Sequence, residues 1–141
     1  MRLMKTTKYQ KIAALDAMLF SSDDPIEGWS QAHWWIGIED GLPVCYCGIK
    51  DLGSGIGYLN RSGVLPGSQG NGYQKKMIKK RLEWAKSNGL DAVVTDTITT
   101  NPASVNSLIS NGFRQFIPAN QWAGPSALYW IRRIDGKNNH Q

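Results

Sequence analysis

No apolar run in the 141-residue sequence approaches the ~18–20 residues of a bilayer-crossing helix, so nothing in it reads as a membrane span. Lys5 and Lys8 interrupt the N-terminal stretch, which is therefore not read as a signal peptide, and a cytoplasmic location is expected. Cysteine is scarce. Cys45 and Cys47 lie two apart on one face of a strand-like run, a poor spacing for a disulfide and too few thiols for a zinc site. Reduced, packed thiols and no metal are the expectation. Histidine is equally scarce: His140 falls in a polar C-terminal stretch, and His33, beside Trp34 and Trp35, reads as a strand-opening residue rather than a base. No Gly-Lys-Ser/Thr follows the glycine turn described below, which disfavours a P-loop nucleotide hydrolase. Internal repeats and low-complexity segments are absent.

What is present suits one domain, 1–135, followed by a polar tail, 136–141. The formal net charge is +5, and its placement is informative. Lys75, Lys76, Lys79, Lys80, Arg81 and Lys86 stand against Glu83 alone in one helical stretch, leaving the rest of the chain balanced. A general nucleic-acid surface would spread over several elements, so that reading is disfavoured. A solvated helix face accounts for part of the excess, and attraction of a phosphate-bearing ligand for more.

That helix follows the stretch around which the chain is organised, Ser62-Gly63-Val64-Leu65-Pro66-Gly67-Ser68-Gln69-Gly70-Asn71-Gly72-Tyr73-Gln74. An apolar strand end runs into a proline turn, and two glycines open a helix over 73–88. A helix N-terminus leaves backbone N–H groups unpartnered and carries partial positive charge, which suits an anion. Gly70 and Gly72 lack the Cβ atoms that would hold a phosphate away from those amides.

Periodicity and turn residues place the other elements. A strand over 2–5 precedes a helix over 8–20, with Thr7 and Gln10 as a capping box and Ile12, Leu15, Met18 and Leu19 at helical spacing. Pro25 opens a short second helix reaching Gln31. Strands over 34–39 and 42–49 meet at the hairpin signal Asp40-Gly41. A strand over 56–65 contains Gly57 and Gly63, signs of a bulge or a close backbone approach. In the basic helix Met77, Ile78, Leu82 and Ala85 face inward, and Gly89 closes it. A strand over 91–97 precedes a fourth helix with Asn101 as N-cap, Pro102 at N1 and a stripe of Val105, Leu108 and Ile109. Strands over 113–117 and 127–134 complete the order.

At these residues the chain resembles the GNAT acyltransferase superfamily. Its members carry Gln or Arg, two variable residues, Gly, one variable residue, then Gly or Ala, three residues after a strand-ending proline. Pro66, Gln69 and Gly72 match; Gln74 stands where the family has a small residue. A second feature, an Asn followed at a fixed distance by Gly-Phe, is matched by Asn101 and Gly112-Phe113. The resemblance spans the whole chain. It implies an α/β (α+β) GNAT fold, with a mixed, mostly antiparallel sheet of about seven strands flanked by four helices.

It also implies acetyl-CoA as co-substrate. Gln69, Gly70, Asn71, Gly72, Tyr73 and Gln74 would bind its pyrophosphate, and Ser62, Gly63 and Val64 its pantetheine arm, along a bulged fourth strand. Asn101 would contact the cofactor or order the helix beside it. The expected activity is N-acetyl transfer to a primary amine by direct attack in a ternary complex, by a monomer or homodimer. In many members a Tyr four residues before the Gly of Gly-Phe protonates the leaving sulfur; here that residue is Leu108.

The catalytic residues thus stay open. Asp96 is a candidate proton acceptor, Ser107 and Ser104 are candidate donors, and Tyr58 with Asn60 could position water. Acceptor recognition in the family comes from the first two helices and the loop between the last strands, here Phe20, Asp23, Asp24, Glu27, Trp29, Asn120, Gln121 and Trp122. Leu108 and Gln74 favour the alternative, a GNAT-fold module that binds acyl-CoA without efficient catalysis and acts through a protein or nucleic-acid partner.

Overall fold

The computed structural model describes residues 1–20, 28–98 and 101–134. Seven strands form one sheet in the order β1-β2-β3-β4-β5-β7-β6. They are β1 (Arg2–Thr6), β2 (Ala32–Glu39), β3 (Leu42–Asp51), β4 (Ile56–Val64), β5 (Ala92–Ile98), β6 (Arg114–Phe116) and β7 (Ala127–Arg133). Every pairing is antiparallel except β4 with β5. The β2–β3 hairpin turns at Asp40-Gly41, both at positive φ (52° and 78°), as a two-residue turn between twisted strands requires.

Three α-helices flank the sheet among the described residues, rather than four: α1 (Tyr9–Leu19), α2 (Tyr73–Ser87) and α3 (Pro102–Ser110). Of the expected second helix, 25–27 lie outside the described residues, and Trp29–Gln31 form a single 3₁₀ turn. Ala32 already pairs with Lys50, so the sheet captures the chain before another helical turn can form. The capping box at Thr7 is not made: Thr6 Oγ1 instead accepts from Lys8 N at 3.0 Å and Thr7 O from Tyr9 N at 3.0 Å.

Alternation along the strands divides the core between two faces. On one face Trp35, Cys45, Cys47, Ile49, Leu59 and Val93 pack under α2 and α3 with Met77, Ile78 and Phe113. On the other, Trp34, Ile36 and Tyr46 pack under α1 with Ile12 and Leu15. Both cysteines are buried and free. Ile109 departs from its expected stripe and is exposed, because α3 ends one residue later and Leu108 alone is fully covered.

Two residues depart from the charge reading. Arg81, counted with the outward lysines, is only 2% exposed, and Asp16 on α1 only 4%. Each occupies a core-facing position of its helix: Arg81 follows Met77 by four residues, and Asp16 follows Ile12 by four.

Candidate functional site

β4 is the hinge of the site. Cys47 pairs with Ser62 and Ile49 with Leu59, so Asn60 and Arg61 together oppose Gly48 alone, a β-bulge. The glycines of β4 lie elsewhere and serve close packing. A Cβ on Gly63 would come within 2.6 Å of Leu19 and 2.8 Å of Tyr46, and one on Gly57 within 3.0 Å of Leu90.

The parallel ladder between β4 and β5 ends at Tyr58–Val94. Beyond it Thr95 Oγ1 donates to Leu59 O at 3.2 Å, and past that link the two strands follow different partners. Their divergence opens a cleft of about 870 Å³ between β4, β5 and the cleft-facing sides of α2 and α3.

Arg81 holds the bulge from below. Its Nη1 donates to Gly48 O at 3.1 Å and Asn60 O at 3.4 Å, and its Nε to Met77 O at 3.1 Å. Burial lowers its pKa from the usual guanidinium value, with the nearby Cys47 opposing the shift. Burying an unpaired cation is costly unless its protons are satisfied, and these carbonyls satisfy three of them. Asn60 Oδ1, next to this network, is a buried acceptor with no partner among the described residues.

The helix-terminal turn is open. Gly70 (φ 84°) and Gly72 (φ 74°) adopt the left-handed region, and nothing lies within 4 Å of where either Cβ would stand. Gly72 is the N-cap of α2, with no side chain capping the first amides. A cradle open above a glycine turn and an unfilled helix N-terminus fit an anionic phosphate group. Gln69 Nε2 donates to Val64 O at 3.4 Å and Asn71 Nδ2 to Ser68 O at 2.9 Å, fixing the turn rather than reaching outward. Tyr73 has its ring buried in the core while its backbone begins α2.

Among the residues expected to hold cofactor, Ser62 and Gln74 line the cleft directly, and Ser62 Oγ donates to Gln74 Oε1 at 3.2 Å. Asn101 caps α3, its side chain accepting from Ser104 N at 3.3 Å, and lies outside the cleft lining. Gly63 and Val64 are buried in β4.

Of the candidate catalytic groups, Tyr58 and Asp96 meet, and Trp122 joins them. Tyr58 Oη donates to Asp96 Oδ2 at 2.7 Å, and Trp122 Nε1 to the same oxygen at 2.8 Å. Burial first, then the Asp96 charge, pushes the Tyr58 phenol well above its ordinary value, so at neutral pH it is a donor and not a base. Ser104, Ser107 and Leu108 lie on the opposite wall, Leu108 buried. His33 stands apart: it stacks on Trp84 at 4.4 Å, with Nδ1 3.2 Å from Lys5 Nζ. Burial first, then Lys5, lowers its pKa. Of the expected acceptor-binding residues, Asp23, Asp24 and Glu27 lie outside the described residues, and Trp29 packs on Trp34 at 4.9 Å.

Sequence reasoning missed a second network. Asp16 accepts from Tyr46 Oη at 2.5 Å and pairs with Arg61 Nη1 at 2.9 Å, and the Arg61 guanidinium lies 5.0 Å from the Phe20 ring centroid. The available signal was an acid on the apolar face of an amphipathic helix, a position that calls for a buried partner.

Among the described residues no helix is long and apolar enough to cross a membrane, and no cluster of three metal-ligating side chains forms. No curated protein sequence matches the chain. Solved structures do. An acetyltransferase from Bacillus subtilis in complex with CoA superposes with a TM-score of 0.77 at 12% identity, over 94% of this chain and 97% of that one. The ribosomal-protein-S18-alanine N-acetyltransferase of Escherichia coli gives 0.72 at 13% identity, over 99% of both chains. A GNAT-family acetyltransferase from Staphylococcus aureus gives 0.73 at 15%, over 95% and 99%. At such identities these similarities speak for the fold. Residues 7–113 match the acetyltransferase (GNAT) family model. With its splayed sheet and glycine turn, the chain belongs to the GNAT family of acetyltransferases.

Proposed function

We propose that the protein transfers an acetyl group from acetyl-CoA to a primary amine by direct attack within a ternary complex. The observation that carries this reading is the open glycine turn at Gly70 and Gly72, which starts α2, together with the cleft beside the bulged β4 that Gln74 in the first turn of α2 lines. Acetyl-CoA supplies the acyl thioester. The N-terminal amides of α2, from Tyr73 and Gln74 onward, receive the pyrophosphate, and the exposed lysines of α2 draw the polyanion toward it.

The edge of β4 over Ser62, Gly63 and Val64 offers backbone groups to the amide-bearing arm, and Asn60 Oδ1 is an acceptor awaiting a donor there. Asn101 orders the N-terminus of α3 rather than touching the arm. Asp96 takes the proton that the ammonium must lose to become a nucleophile, with Tyr58 and Trp122 fixing the carboxylate's orientation. The departing thiolate takes a proton from Ser107 or water, since Leu108 has none to give.

Purified protein with acetyl-CoA and an amine panel, followed for released thiol and for acetylated amine by mass, tests the transfer. Equal release of both, lost in Asp96→Asn, is the expected outcome. Thiol release without acetylated amine contradicts it.

A second reading has its own observations. Leu108 in place of a donor, and the Gln74–Ser62 bond on the cleft wall, favour a module that binds acyl-CoA without efficient transfer. It predicts binding of acetyl-CoA with neither product formed.

A further inference from the structure

Asp96 is a partly buried carboxylate with no counter-ion among the described residues. Among the described residues the ion pairs are Met1 with Glu39 and Arg61 with Asp16, and neither involves Asp96. Its two donors, the Tyr58 hydroxyl and the Trp122 indole N–H, are neutral, and both bond Oδ2. They orient the carboxylate without neutralising its charge, and among the described residues no hydrogen bond is made to Oδ1. A carboxylate withdrawn from water gains most from a cation brought to it.

The walls around it are apolar and aromatic. Trp122 is held edge-on by Tyr129 at 4.7 Å and Tyr58 at 6.4 Å, with Phe116 at 6.5 Å. It nevertheless keeps 41% of its surface exposed, and Leu52, lining the same cleft, keeps 56%. Exposed apolar side chains gathered at one concave site mark a place where an apolar ligand body packs. The remaining charges of the lining are positive. Lys50 and Arg81 carry no carboxylate partner among the described residues, and Arg61 has Asp16. Among the described lining residues, a second ammonium group in this cleft would meet like charge and no further acid.

We propose that this pocket is the acceptor site for a primary monoamine on a flat, apolar body, and that it rejects polyamines. The inference deepens the transfer reading above and rests on it for the fate of the amine. The ammonium sits on Asp96 Oδ1, and the body packs on the Trp122 ring and Leu52.

Calorimetric titration of the protein, with and without saturating CoA, tests this using phenethylamine, phenethyl alcohol and 1,4-diaminobutane. Phenethylamine is expected to bind about tenfold or more tightly than the alcohol, the difference of one charge-assisted hydrogen bond. It is expected to bind about tenfold or more tightly than the diamine, which lacks the apolar body and brings a second ammonium toward Lys50 and Arg81. Asp96→Asn should weaken it about tenfold, and Trp122→Leu should weaken it severalfold while the alcohol-to-amine preference remains. The ligand series on the unaltered protein stands even if a variant folds poorly. Equal binding of amine and alcohol, tighter binding of the diamine, or indifference to Asp96→Asn overturns the proposal. The transfer reading fails separately: Asp96-dependent amine binding with no thiol released from acetyl-CoA leaves this site standing and removes the reaction. Thiol release with diamines alone does the reverse.

Discussion

Gln74 Oε1 accepts the Ser62 hydroxyl at 3.2 Å, joining the first turn of α2 to β4 on the cleft wall. An arm laid along β4 has to displace that bond. A hydrogen bond of this kind is worth about 0.5–1.5 kcal/mol, so Gln74→Ala should tighten acetyl-CoA binding about 2–10-fold in an equilibrium titration. Unchanged or weaker binding would mean that Gln74 assists the cofactor instead. The unusual Gln was legible in the sequence, and its partner was not. Ser62 becomes a neighbour only through the packing of α2 against β4. Asn101 shows the reverse case, since Asn-Pro before an apolar stripe announces an N-cap from local chemistry alone.

At the scale of elements, α2 does two jobs with opposite ends. Its N-terminus opens on the glycine turn, and Arg81, two turns on, supports the β4 bulge through Gly48 O and Asn60 O. Arg81→Leu preserves the apolar volume and orphans both carbonyls. Each buried unpaired carbonyl costs about 1–3 kcal/mol, offset by the relief of no longer burying a cation. A net loss of about 1–3 kcal/mol is expected from the urea midpoint at unchanged slope. Unaltered stability would show that water reaches both carbonyls. Charge counting along the sequence grouped Arg81 with the lysines of the helix without giving it a face, whereas helical phase places it four residues after Met77 and four before Ala85, inside. Phase was the better guide. The bulge itself was legible only through the resemblance, because Gly57 and Gly63 point to close packing and the extra residue falls at Asn60-Arg61.

Over the whole molecule, a sheet covered on both faces keeps its two thiols out of reach. Burial first, then the neighbouring Cys47, pushes the Cys45 thiol up to about 12, and burial pushes Cys47 up to about 11. Unfolded thiols ionise near 8.5. A folded value raised above the unfolded one stabilises fully below about pH 8.5 and is lost as pH rises through about 11. Buried Tyr46, raised by burial and by Asp16, adds to the same alkaline loss. Urea midpoints should therefore be flat up to about pH 8.5 and fall beyond it, and Cys47→Ala should make the fall shallower. A thiol reagent at pH 8 should leave both cysteines of the native protein unmodified, and rapid labelling would contradict their burial.

Element order, the hairpin at Asp40-Gly41 and the buried strand over Ala92, Val93 and Val94 were legible because local pattern and tertiary packing agree there. The cleft was not. It exists because β5 leaves β4 after Tyr58–Val94, a consequence of which strand each prefers later. The convergence of Tyr58 and Trp122 on Asp96, across 38 and 26 residues of chain, follows from that geometry.

The most direct test of the cofactor site is calorimetric titration of acetyl-CoA into the protein, into Gly72→Ala and into Gly72→Glu. Gly72 stands at φ 74°, so the alanine variant carries the backbone strain without added charge. Binding in the micromolar range is predicted for the native chain, reduced but measurable in Gly72→Ala, and absent in Gly72→Glu. Acetyl-CoA bound equally by all three would place the pyrophosphate away from this turn and contradict the account.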